Sequence, residues 1–370
     1  MKKKIIGLIL LVCVMGVIGG IYLLTGGTGE LGEEKRTEGQ QVTKTKPATQ
    51  VSGYIGGEKV GFLEDEEVLE ILRNEYGLDV DYSKAGSLDM MTADLSGRNY
   101  LFPSSSIALE YYEELHGSPK QSEIILNTPI VLYTHKIVLD AFEQQGLITK
   151  DGEVNYIDMN QLVAMIQNDT KWADIGVPEL YGSVYVTVST TDPTKSNSGN
   201  MFAALLADVL NGGQTLTPEG VGEILPQLQT IFGKLGYMET SSADLFDQFL
   251  RMGVGATPVA AGYESQIIEY AQMNPEAYEK IKDDVVILYP APTVWSAHVL
   301  IAIDESGQTL LKGLQDETVQ ELAWKKHGFR TGSAGTSQGE TEVTGIADSI
   351  TQVAQVPSYE VMRQIIEGLQ

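Results

Sequence analysis

Thr190-Thr191-Asp192-Pro193-Thr194-Lys195-Ser196-Asn197-Ser198-Gly199-Asn200 is the stretch on which the reading of this chain turns. Before it, residues 183–189 are rich in β-branched side chains and predict a strand. After it, Met201, Phe202, Leu205, Leu206, Val209 and Leu210 recur at helical spacing. A strand therefore runs into a hydroxyl-rich turn that opens a helix. The first N–H groups of a helix lack internal partners and lie at the positive end of its dipole. Ser196, Asn197 and Ser198 suit that end, and Gly199 admits a close approach to the backbone. The turn reads either as an ordinary cap or as a cradle for a small anion.

Working outward, the N-terminus is Met1-Lys2-Lys3-Lys4 followed by an uncharged apolar run, Ile5 to Leu24. That length matches the ~20 residues that span a bilayer. The lysines orient residues after Leu24 outward. No small-residue cleavage site ends the run, so residues 1–24 are expected to be an uncleaved single-pass anchor, with the globular part extracellular. Cys13 is the only cysteine and lies within the run, so the external part holds no disulfide. Residues 25–52 are poor in large apolar side chains and predict a flexible linker.

From Gly53 on, strand and helix signals alternate. The run is too long for one small core and predicts two lobes. Its first part reads βαβαβα, which implies a parallel sheet flanked by helices. Ligands of such sheets bind at the carboxyl ends of the strands. Three turns fall there, Gly56-Gly57-Glu58-Lys59, Lys84-Ala85-Gly86-Ser87 and Pro103-Ser104-Ser105-Ser106. Apolar segments at Thr128–Thr134 and Leu288–Ile303 are candidates to cross between lobes. Lobe one is then 53–127 with 290–370, and lobe two is 128–289.

The full chain carries 50 acidic and 25 basic residues, a net charge of −25. Nucleic acid and anionic lipid surfaces are excluded as partners on that ground. An enclosed site still binds an anion through neutral donors. The four histidines, His116, His135, His298 and His327, do not pair at metal-ligand spacing, and the one Gly-x-Ser-x-Gly, Gly335-Thr336-Ser337-Gln338-Gly339, falls in the Gly/Ser/Thr-rich stretch 332–344, which predicts a loop and not a strand-to-helix elbow. No metal, cofactor or catalytic residue is expected, and the chain is read as a non-enzyme.

Taken together, four segments resemble bacterial extracellular solute-binding proteins of ABC transporters, in the branch that includes molybdate- and phosphate-binding proteins. They are the Gly56-Gly57-Glu58-Lys59 turn, the two crossing segments, the Asp192-Pro193-x-x-Ser196-x-Ser198-Gly199-Asn200 turn, and Lys325-Lys326-His327-Gly328-Phe329-Arg330. The resemblance implies a type 2 periplasmic-binding-protein-like fold, with each lobe a mostly parallel sheet flanked by helices. It implies capture of a small polar ligand, an oxyanion above all, between the lobes for an ABC transporter permease. The candidate contacts are Gly57, Glu58, Ser87, Ser104 and Ser105 from lobe one. Lobe two offers Ser196, Ser198, Gly199, Asn200 and Tyr263. Glu58 and Glu264 bear on the ligand's charge. Ionised and facing the cleft, they would favour a cation or an amine. Glu58 and Lys59 read equally as a solvated pair, and Glu264 as a helix N-terminal acid. The alternative function is a membrane-anchored sensor or scaffold of the same fold.

Overall fold

The computed structural model describes residues 48–177, 183–331, 339 and 341–370. The expected anchor, Ile5 to Leu24, lies outside the described residues. Among the described residues no helix is long and apolar enough to cross a membrane.

Ten strands are described: β1 Thr49–Ile55, β2 Leu78–Lys84, β3 Tyr100–Phe102, β4 Gln121–His135, β5 Ile148–Asp151, β6 Val154–Asp158, β7 Val259–Tyr263, β8 Val285–Ala291, β9 Trp295–Ala302 and β10 Arg330–Thr331. Helices of nine or more residues are α1 Glu66–Asn74, α2 Ser106–His116, α3 Lys136–Gln144, α4 Met159–Gln167, α5 Asn197–Leu210, α6 Val221–Gly233, α7 Ser242–Met252, α8 Glu264–Met273, α9 Glu305–Leu314, α10 Glu317–Lys325 and α11 Tyr359–Gly368.

The βαβ order of the first part gives parallel pairing, with β1 between β2 and β3. β9 then joins β3 antiparallel. β4 carries the chain from lobe to lobe. Gln121–Pro129 pairs antiparallel with β9, whereas Ile130–His135 pairs with β7 and β8. The second lobe adds β6 parallel to β8 and β5 antiparallel to β6. A second crossing lies between β8 and β9, where Thr293 Oγ1 donates to Ile130 O at 2.5 Å and ties the two crossings together.

Each lobe has its own core. Val51, Ile55, Leu72, Phe102 and Leu310 are buried together in the first. Leu132, Phe142, Phe202, Leu205 and Leu228 are buried together in the second. β1 begins at Thr49, inside the expected linker, because Val51 is a core residue. The segment after β10, expected in lobe one, packs on the second lobe. Val343 and Ala347 join Tyr133 and Tyr289, and Met362 and Ile365 of α11 join the core around Phe202. α11 also reaches lobe one, where Tyr359 stacks on Tyr111 with ring centroids 4.3 Å apart.

Residues 183–189, expected as a strand, are extended but pair only at isolated points. Ser189 bonds to both Val259 and Ala261 of β7, and Tyr185 bridges to Lys171. The segment touches β7 at one residue and then turns away into the Asp192-Pro193 corner, so no ladder forms.

Candidate ligand cleft between the lobes

A cleft of about 270 Å³ opens at the carboxyl ends of β1 and β2. Lobe one contributes Gly56, Gly57 and Glu58 after β1, and Lys84 at the end of β2 with Ala85 to Ser87 after it. Lobe two contributes Lys195, Ser196 and Asn197 at the start of α5, and Thr240, Ser241 and Ser242 at the start of α7. The walls are close. A Cβ on Gly86 would lie 3.2 Å from Lys195 O, so glycine is what lets the two turns approach.

The N-termini of two long helices border this space. Ser196 and Ser241 hold the N-cap positions in extended conformation, yet neither side chain accepts from a backbone N–H of its helix; Ser196 Oγ instead shares a hydrogen bond with Ser198 Oγ at 3.1 Å. Ser241 and Asp244 accordingly form no capping box. First-turn N–H groups without internal partners are left at the cleft edge, where the helix dipole favours negative charge.

The wall on the lobe-one side is built on Lys59. The solvated-pair reading of Glu58 and Lys59 is corrected here, because Lys59 is fully buried. Its Nζ lies 2.5 Å from Glu58 Oε1, 2.7 Å from Ser104 Oγ and 3.0 Å from His298 Nδ1. An ammonium has three donors, and three acceptors surround it. Ser104 Oγ also donates to Glu58 Oε1. Burial alone would raise the Glu58 pKa. The charges of Lys59 and His298, with hydrogen bonds from Lys59 and Ser104, override burial and hold it at about 2. Burial, and then the Lys59 charge, push His298 well below its ordinary value. Burial likewise lowers Lys59, against the pull of Glu58.

Glu264 is not in this cleft. Its carboxylate is buried against Arg330, with Nε 2.7 Å from Oε1 and Nη2 2.7 Å from Oε2, and Tyr289 donates to Oε2 as well. The pair joins α8 of lobe two to β10 of lobe one. Neither glutamate therefore offers the cleft an unneutralised charge. The remaining charged groups lining it are Lys84 and Lys195, the latter 3.6 Å from Asp192. A chain of net charge −25 thus lines its cleft with a cationic balance.

Of the residues singled out in the sequence, Gly57, Glu58, Ser87 and Ser196 line the cleft. Ser104 stands behind the wall, and its N–H donates to Ser87 Oγ at 2.9 Å. Ser105 caps α2 by accepting from Ile107 N. Ser198 bonds Thr191 Oγ1 at 2.7 Å inside the turn. Gly199 is tightly packed, since a Cβ would lie 2.9 Å from the Pro193 backbone. Asn200 donates to Pro193 O at 2.6 Å and Ser196 O at 3.0 Å, holding the corner. Tyr263 is buried, and its hydroxyl meets Asn197 Nδ2 at 3.0 Å. That same amide nitrogen lies 2.9 Å from Ser104 O and 3.2 Å from Ser296 Oγ. Asn197 therefore bonds both lobes at the floor of the cleft. Sequence reasoning passed over Asn197 as a contact, together with Lys59, Lys84, Lys195 and Ser241.

No family model matches the chain, and no curated protein matches it. Solved structures do. The fold is similar to the sulfate-binding protein SubI from Mycobacterium tuberculosis at 15% identity and TM-score 0.50, over 77% of this chain and 88% of that one. It is similar to the substrate-binding protein of an ABC transporter from Agrobacterium tumefaciens at 14% identity and TM-score 0.54, over 88% and 96%. The iron- and citrate-bound IdiA (FutA) of Trichodesmium is similar at 10% identity and TM-score 0.52, over 87% and 98%. The chain therefore has the two-lobe α/β fold of the periplasmic substrate-binding proteins, as the sequence resemblance implied. At these identities the likeness is one of fold.

Proposed function

We propose that this chain is an extracellular solute-binding protein that captures a small polar anion between its lobes for an ABC transporter permease. The observation that carries the reading is the cleft wall. Two uncapped helix N-termini, serine hydroxyls and two lysines converge on it, while both nearby glutamates are neutralised by buried cations. Such donors suit an anion that must give up its hydration. The similarity to a sulfate-binding fold supports the same class. The lobes would move about the crossings at Pro129–Ile130 and Ala291–Trp295, and the ligand would select the closed arrangement by its differential affinity. Residues 5–24 would hold the protein at the membrane with its lobes outside. Binding without turnover is the expected activity.

Calorimetric titration of the full chain tests this. Sulfate, molybdate, phosphate esters and hydroxy acids are set against divalent cations and neutral amino acids. Saturable binding of an anion is the expected result. Binding of cations alone would overturn the anion site. Silence toward every ligand would favour the sensor or scaffold reading that the apolar run Ile5 to Leu24 suggests.

A further inference from the structure

We infer that the anion taken by this cleft carries a hydroxyl group of its own, which it donates to Oε2 of Glu58. The inference rests on the anion-site reading above. Glu58 lines the cleft, yet its side chain is only 10% exposed. Its two oxygens are used unequally. Oε1 takes the bonds from Lys59 and Ser104. Oε2 has no hydrogen-bonding partner among the described residues. Water serves this oxygen while the cleft is open, but a ligand that fills the cleft displaces that water, and an acceptor then left without a donor is costly. A donor on the ligand relieves that cost. A fully deprotonated oxyanion would instead set its own acceptor oxygen against this one. Glu58 stays an acceptor at neutral pH, since Lys59 and its neighbours keep it ionised.

The charge balance selects a hydroxyl over an ammonium as the donor. Lys59 already neutralises Glu58. Lys84 and Lys195 remain, with Asp192 partly offsetting Lys195. The site therefore calls for a ligand of net negative charge, which an added ammonium would diminish. Space also permits more than a bare oxyanion. The cleft of about 270 Å³ corresponds to roughly nine water volumes.

The test uses ligand pairs matched in charge and size on the full chain at neutral pH. sn-Glycerol 3-phosphate is titrated against propyl phosphate, and lactate against propionate, with sulfate as the donor-free oxyanion. The hydroxylated member of at least one pair should bind tenfold or more tighter than its counterpart. In Glu58→Gln that preference should fall to threefold or less. Should this variant fail to fold, the matched pairs on the unaltered chain decide alone. Equal binding within both pairs, or tighter binding of sulfate than of every hydroxylated anion, would overturn the hydroxyl and leave the anion site standing. No binding of any of the five would overturn both.

Discussion

Two buried glutamate–cation pairs stand near the lobe crossings, and they are finished differently. Glu264 is closed on every side. Both its oxygens meet the Arg330 guanidinium and one also meets Tyr289, while Arg330 reaches on to the carbonyls of Ala347 and Asp348. Glu58 is closed on one side only, with Lys59 and Ser104 both on Oε1, while the residue itself lines the cleft. A bidentate guanidinium leaves no acceptor over and so serves as a fixed joint between α8 and β10. A single ammonium shared among three acceptors leaves one carboxylate oxygen for a ligand. The difference separates a residue that holds the lobes from one that offers chemistry to the space between them.

The largest effect is expected at the closed pair. Arg330→Met strands an ionised Glu264 in the core and should cost about 3–5 kcal/mol of stability, measured by denaturant unfolding. A loss below 1 kcal/mol would show that the pair is not buried as described. Lys59→Met strands Glu58 beside an open cleft, where water reaches one oxygen. The expected loss is smaller, about 1–3 kcal/mol, and it is accompanied by weaker anion binding, which Arg330→Met affects only through folding.

Acid sharpens the contrast further. The Glu58 pKa is depressed in the folded state, from 4.5 to about 2. A depressed carboxylate contributes stability above its unfolded pKa and loses it as pH falls through the folded value. The stability difference between the wild type and Glu58→Gln should therefore be constant above about pH 5 and shrink from 4.5 toward 2. A difference independent of pH across that window would remove Glu58 as the ionised partner of Lys59. The smallest effects separate two serines at helix starts. Ser105 caps α2, so Ser105→Ala should cost about 1 kcal/mol of stability and leave ligand affinity alone. Ser241 caps nothing, so Ser241→Ala should leave the unfolding midpoint unchanged and weaken the anion.

Much of the fold was legible because its signals are local. The alternating strand and helix signals and the βαβ order fix the first lobe, and the apolar Thr128–Thr134 segment announces a crossing strand. The cleft was legible in part, through Gly57, Glu58, Ser87 and Ser196 in turns after strands or before a helix. Lys59 was not legible. Adjacent opposite charges look solvated in a sequence, and its burial depends on Phe102, Ser104 and His298 arriving from distant segments. Ser198, Gly199 and Asn200 carried the right residue types for a ligand turn, but their side chains and backbone are spent on the Asp192-Pro193 corner. The return of the chain end to the second lobe had no local signal at all, since nothing in residues 332–370 names the surface they cover.

The central claim is that one anion touches both lobes at once, and affinity in paired variants tests it most directly. Lys84→Ala removes a cleft group of lobe one, Ser241→Ala one of lobe two, and the full chain is titrated with sulfate or sn-glycerol 3-phosphate, whichever binds tighter. Each single variant should weaken binding, the double variant should weaken it further, and the melting temperature without ligand should stay put. Loss of affinity confined to one lobe's variant, with the other indistinguishable from wild type, would contradict a ligand held between them.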